Sequence, residues 1–353
     1  MQKIFFTPGP TQLYPNVAKY IKEALKEEVC SISHRGNKFQ QIFHNTTESL
    51  RKLLNIPEGH HIFFLSSATE AMERLIENCV ANKSYHFVNG AFSERFLTIA
   101  QELGKKPEKY DAEWGKGFNF NFKIPEYAEL VAFTQNETST GAAINMADIY
   151  AIKDKNKDKI VAVDVVSSAP FVDVDYNKVD SAFFSVQKGF GMPAGLGVLI
   201  ANNKCIEKSE YLQYKNYNVG SYHNFPSLLK SANKNQTPET PNVLGIYLLG
   251  NICDELHKHG MEKIRKETEK KASLIYNFFD AHEAYKPFVL DKGIRSKTVI
   301  AINASNSATL IKKLSDHGFI VGSGYKELKE KQIRIANFPM HKINDVKEML
   351  SLI

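Results

Sequence analysis

One unit recurs along this chain and limits how it can fold: a short apolar run, a turn of small or polar residues, then a helical stretch. His61-Ile62-Phe63-Phe64-Leu65 runs into Ser66-Ser67-Ala68-Thr69-Glu70, and Tyr85-His86-Phe87-Val88 into Asn89-Gly90-Ala91-Phe92. Val131-Ala132-Phe133-Thr134 ends in the polar turn from Gln135 to Gly141, and Ile160-Val161-Ala162-Val163 ends at Asp164. Buried strands alternating with helices predict an α/β fold, with a mostly parallel sheet covered by helices on both faces. Ligands of such folds bind at the carboxyl ends of the strands, where all of these polar turns lie. At 353 residues, 43% hydrophobic and 24% charged, the chain has the composition of an ordinary globular protein. It is long enough for more than one domain around a cleft.

Several side chains stand out against this background. Lys188 follows the apolar run Ala182-Phe183-Phe184 in Ser185-Val186-Gln187-Lys188-Gly189, so a strand end presents an amine before glycines too flexible for helix. Asp164 is a lone carboxylate in an apolar strand, which costs several kcal/mol of desolvation unless a cation or donors face it. Two readings satisfy it: an ion pair with Lys188, or service by each residue at a different end of a cofactor. In the second, a lysine forms a Schiff base with the aldehyde of pyridoxal phosphate (PLP) and an acid keeps the pyridine nitrogen protonated. Ser67, Ala68 and Thr69 open a helix after a buried strand, so their amides and the helix dipole form a phosphate cradle. His34 and Arg35 stand at the amino end of the helix predicted to run to Leu54, where they could hold an anion. Arg334 lies in the apolar strand Gln332 to Ala336, where a bidentate partner or a salt bridge within the domain is expected.

Other classes are excluded. Lys and Arg exceed Asp and Glu by 45 − 39 = 6, but the basic stretch from Lys258 to Lys271 also holds Glu262, Glu267 and Glu269. That pattern is a solvated helix face laced with ion pairs, not a nucleic-acid stripe. Cys30, Cys79, Cys205 and Cys253 are scattered without metal spacing, and His257 and His259 point to different helix faces, so no metal site is expected. Gly189, Gly191, Gly195 and Gly197 do not form a dinucleotide loop. No signal-peptide core or membrane-spanning run is present, which predicts a cytoplasmic protein.

On these residues the sequence resembles the class V aminotransferases, PLP enzymes of fold type I, and most of all the phosphoserine aminotransferases. The resemblance runs from the amino-terminal arm to the Arg334 strand with the motifs in order. It implies Lys188 and Asp164 as catalytic residues, with Gln187 beside the lysine in the Gln-Lys strand ending. It implies Phe92 stacked on the pyridine ring, where tryptophan is usual, and Thr138 of the Asn-Glu-Thr segment as donor to the ring oxygen or base. Gln236 and Thr237 match residues that reach the PLP phosphate of a neighbouring subunit, which implies a homodimer with shared sites. Gly9 of the Gly-Pro arm borders the substrate pocket, His34-Arg35 meet the substrate's side-chain phosphate, and Arg334 grips its carboxylate. The expected division is an arm at 1–15 laid across the body, a large PLP domain at 16–245 and a small α+β domain at 246–353. The reaction implied is transamination between phosphoserine/3-phosphohydroxypyruvate and glutamate/2-oxoglutarate. The Ser66 to Glu73 loop is closer to alanine–glyoxylate-type enzymes, which makes an alanine–glyoxylate or serine–pyruvate aminotransferase the alternative. Cysteine desulfurase is disfavoured because no cysteine follows Cys253. A PLP-fold binding protein without turnover is disfavoured because Lys188 and Asp164 are both present.

Overall fold

The computed structural model of the chain describes residues 3–353. It begins with β1 (Ile4–Phe6), α1 (Val17–Lys26), α2 (Asn37–Leu54), β2 (His60–Leu65), α3 (Ala68–Cys79), β3 (Ser84–Val88) and α4 (Ala91–Glu102). β4 (Glu108–Asp111), β5 (Leu130–Thr134), the short pair β6 (Asn136–Glu137) and β7 (Ala142–Ala143), α5 (Met146–Lys155), β8 (Ile160–Asp164), β9 (Ser181–Ser185) and β10 (Gly197–Asn202) follow. The chain continues through α6 (Asn203–Tyr214), α7 (Phe225–Ala232), α8 (Val243–His259), α9 (Met261–Ala281), β11 (Lys286–Pro287) and β12 (Val299–Asn303). It ends with α10 (Ser307–Asp316), β13 (Phe319–Ser323), β14 (Gln332–Ala336) and α11 (Ile343–Ser351).

The apolar runs build one seven-stranded sheet in the order β2-β10-β9-β8-β5-β3-β4. Its neighbours pair in parallel from β9 to β4, while β10 runs antiparallel to both β9 and β2. Every residue of β3, β5, β8 and β9 is buried, as a sheet covered on both faces requires. Two apolar cores lie against it: one holds Phe43, Phe64, Phe133, Val163 and Phe184, and the other holds Phe63, Leu75, Phe96, Leu130 and Phe183. The alternation of strand side chains separates Phe63 from Phe64 and Phe183 from Phe184. The five-stranded second sheet, β1-β13-β14-β12-β11, packs its own core around Phe6, Ile275, Phe279, Ile300 and Ile335.

Two local expectations are corrected. The arm does not merely cross the body, because Ile4–Phe6 pairs in parallel with Phe319–Val321 and Phe6 is fully buried in the smaller core. Backbone pairing and one buried ring make those three residues an edge strand, despite the prolines that follow. The large unit also continues past residue 245: Ile246, Leu249 and Ile252 of α8 enter the first large core, and the chain changes core within α9, beyond the break at Gly260 (φ 89°). α1 buries Val17 and Ala24 and leaves Leu25 exposed, and the Asn16 side chain before it donates to Glu255. No helix among the described residues is long and apolar enough to cross a membrane.

Candidate active site

The carboxyl ends of β2, β3, β5, β8 and β9 converge on a cavity of about 380 Å³. Its walls include Gly9, Ser67, Ala68, Thr69, Phe92, Thr138, Asp164, Gln187, Lys188 and Arg334, together with Ser185 and Tyr325. Residues from both sheets and the amino-terminal arm therefore meet at one amine.

Lys188 is buried, and its Nζ donates to Thr138 Oγ1 at 2.9 Å. The same nitrogen lies 5.0 Å from the centroid of the Phe92 ring, the second residue of α4. Gly9 presses on the lysine stem: a Cβ there would stand 2.8 Å from Lys188 Cε, and its φ of 125° disfavours any side chain. Asp164 is buried at the end of β8, where Oδ1 accepts from Val166 N at 2.8 Å. Of the two readings for this acid, a contact ion pair is not adopted, because Lys188 gives its hydrogen bond to Thr138 instead. Burial nevertheless governs both groups. It pushes the Asp164 carboxyl well above the usual range, helped by Glu137 and opposed by Val166 N and Lys188. It pulls the Lys188 amine down, opposed by Asp164 and Glu137 and aided by Arg334.

At the start of α3, where an anion cradle is expected, one amide is already bonded within the protein. Ser67 is the N-cap of α3, its Oγ accepting from Glu70 N at 3.1 Å. Ala68 N donates to Ser185 Oγ at 2.8 Å, so two of the three expected amides, those of Ser67 and Thr69, are left for a ligand. Arg334 has neither of the carboxylate partners its strand led one to expect. Nε donates to Ser323 O at 2.8 Å and Nη1 to Thr138 O at 3.0 Å, while the guanidinium sits 5.3 Å from the Tyr325 ring. Its positive charge is thus held by dipoles and an aromatic face, and left unneutralised at the cavity wall.

His34, Arg35, Gln236 and Thr237 do not join the wall of this cavity. They form a separate cluster, in which Arg35 donates to Gln236 Oε1 (3.1 Å), Thr237 O (3.0 Å) and Pro238 O (2.8 Å), and His34 Nδ1 meets Thr240 Oγ1 at 3.3 Å. Burial, followed by the charge of Arg35, lowers the His34 pKa, and its Nε2 is buried without a partner. These bonds turn the Arg35 guanidinium onto the 236–238 segment of its own chain.

Sequence reasoning did not single out Tyr325, whose ring centroid is 5.5 Å from that of Phe92. It also missed the link from His223 to Glu70 and to Glu239 (2.9 Å), which ties the first turn of α3 to the segment after Thr237. Histidine with glutamates on both sides in space leaves no spacing signal when they are 153 and 16 residues away. Among the described residues no group of three or more His, Cys, Asp or Glu side chains is arranged to hold a metal ion.

The donor set fits PLP: an amine at the wall, a buried acid, an aromatic face beside the amine, and a helix amino end for a phosphate. Comparison with known proteins points the same way. The family model described as aminotransferase class-V matches residues 4–91 and 117–342. A phosphoserine aminotransferase of Corynebacterium glutamicum (strain R) is 28% identical over 359 residues, covering 99% of this chain and 93% of its own length. The crystal structure of a phosphoserine aminotransferase from Cytophaga hutchinsonii matches with a TM-score of 0.97 and 45% identity, over 99% of this chain and 98% of that one. An alanine–glyoxylate aminotransferase structure from Nostoc sp. matches with a TM-score of 0.81 over 100% of this chain and 94% of that one, but at 19% identity it shares the fold alone. The architecture is that of the fold type I aminotransferases.

Proposed function

Because the chain belongs to the class V aminotransferase family, we propose that it binds PLP around Lys188 and exchanges amino groups between phosphoserine/3-phosphohydroxypyruvate and glutamate/2-oxoglutarate. The observation that carries the reading is the convergence of Lys188, Asp164, Phe92 and the α3 amino end on one cavity. When bound, PLP supplies an aldehyde and an electron-accepting pyridinium ring. Lys188 Nζ would hold the aldehyde end and, as a free amine, would take the proton from substrate Cα. An amine whose pKa burial has brought down is suited to give that proton back. Asp164 would hold the ring nitrogen, whose cationic N–H would offer the buried carboxylate the partner it lacks in the protein alone and so favour its ionised form. Ser67 and Thr69 amides would hold the phosphate with the α3 dipole, Gln187 flanks the lysine, and Phe92 would cover a ring face. Arg334 orients the substrate carboxylate with the guanidinium edge that Ser323 and Thr138 leave open.

His34, Arg35, Gln236 and Thr237 are assigned to the site of a partner subunit in a homodimer. This is supported by their mutual bonding and their position outside the chain's own cavity. The phosphoserine assignment is supported by the His34-Arg35 pair and by the 45% identical phosphoserine aminotransferase, and a role in serine biosynthesis is part of the same proposal. Alanine–glyoxylate transamination is the second reading, favoured by the Ser66 to Glu73 loop. A half-reaction assay with phosphoserine, alanine and glutamate, following conversion of bound PLP to its amine form, decides between them. Fastest conversion by phosphoserine supports the first reading; preference for alanine moves the assignment to the second.

A further inference from the structure

Glu137, in β6, is completely buried, and both oxygens of its carboxylate face donors. Oε2 receives Ser93 N at 2.9 Å, Ser93 Oγ at 3.0 Å and Phe92 N at 3.1 Å; Oε1 receives Ser139 Oγ at 2.6 Å and Ser139 N at 3.1 Å. Ser139 Oγ in turn accepts from Ala91 N at 3.0 Å. The first three amides of α4, which have no intrahelical acceptor, are therefore all satisfied by the turn around Glu137. The N-cap of α4 is Gly90, which has no side chain to do this. A Cβ at Gly90 would stand 2.3 Å from Glu137 Cγ and 2.6 Å from Ser139 Oγ, so the glycine is the space into which this carboxylate fits. A negative charge at a helix amino end is also favoured by the helix dipole.

The two segments joined here carry Phe92 and Thr138. Phe92 N itself bonds the carboxylate, and Thr138 lies between Glu137 and Ser139, both anchored; the two side chains flank Lys188 Nζ. We propose that Glu137 is a positioning residue for the PLP site: its carboxylate locks the start of α4 to the 137–139 turn, and so fixes the aromatic face and the hydroxyl between which Lys188 and the cofactor are held. The proposal rests on the PLP reading given above. It adds a second consequence, because a fixed anion behind Thr138 favours the protonated form of the nitrogen at Lys188.

The test is Glu137→Gln in the full-length holoenzyme beside wild type. The amide keeps the shape but points an NH2 group at amide donors and removes the charge. Two readouts are taken besides turnover: the Kd of PLP for the apo-protein, and the pH midpoint of the bound cofactor's absorbance. The expected result is PLP affinity weakened about tenfold, the scale of one lost charge-assisted hydrogen bond, and a midpoint lowered by about one pH unit. A variant with lowered Tm but wild-type Kd and midpoint would overturn the proposal, since Glu137 would then support only the fold. If Glu137→Gln is not recovered folded, Ser139→Ala takes its place. That change keeps the charge and cuts the link to Ala91, and is expected to weaken PLP binding about threefold while leaving the midpoint unchanged. Wild-type affinity in Ser139→Ala, or a shifted midpoint, would count against the proposal. Failure of wild type to bind PLP would instead refute the underlying reading, which separates the two.

Discussion

Replacing Arg334 tests how the site recognises any substrate. In the structure its Nε and Nη1 are fixed by Ser323 O and Thr138 O, which holds the guanidinium rigid and half-buried without a carboxylate partner. On the proposed assignment a substrate carboxylate would meet a preorganised charge, in a bond worth roughly 1.5–3 kcal/mol. Arg334→Gln removes that charge, so kcat/KM should fall by roughly ten- to a hundred-and-sixty-fold. Because every 2-amino acid carries this carboxylate, the fall should be of similar size for phosphoserine, alanine and glutamate. Arg334→Lys keeps a point charge but not the fork, and should recover part of the loss. Both variants leave Thr138 O or Ser323 O short of a donor, so Tm is recorded in parallel to separate stability from catalysis. Steady-state kinetics with the three donors is the assay. Wild-type kcat/KM in Arg334→Gln, or a loss confined to one donor, would refute a general carboxylate role.

Arg35→Ala should behave oppositely, costing phosphoserine about ten- to a hundred-fold in kcat/KM, glutamate less and alanine least; an equal loss for all three would show that Arg35 only holds the 236–238 segment. Asp164→Asn should still bind PLP but lose turnover steeply, each tenfold loss being about 1.4 kcal/mol of transition-state stabilisation; undiminished turnover would make the acid structural. For His223, burial lowers the pKa but the bonds to Glu239 and Glu70 outweigh it and raise it from 6.5 to about 9. A raised folded-state pKa stabilises fully below the unfolded value and loses that contribution as pH rises from 6.5 through about 9. The Tm advantage of wild type over His223→Gln should therefore shrink across that window, and a constant advantage would count against the ion-pair account.

The residues that could be read directly were those that break a pattern. Asp164 closes an otherwise apolar strand and Lys188 stands in the turn three residues past another, not at its last residue, and β8 and β9 place both at the carboxyl edge where parallel sheets bind ligands. Phe92 and Thr138 were legible through resemblance, because an aromatic residue after Gly-Ala and a threonine in a polar turn carry little signal alone. What escaped the sequence depends on contacts across long separations. Arg35 meets Gln236 across 201 residues, Ala68 N meets Ser185 across 117, and Glu137 meets Ser93 across 44. Glu137 reads as a turn residue because periodicity does not reveal what a turn faces. β1 was hidden by its three-residue length, and the allegiance of α8 by a helix face that either core could have covered.

The central claim is that Lys188 holds the cofactor, and borohydride reduction of the PLP-loaded protein tests it most directly. Reduction followed by peptide mapping should place the cofactor on Lys188 alone, and Lys188→Ala should yield no fixed cofactor. Attachment to a different lysine, or no cofactor retained by wild type after loading with PLP, would contradict the account.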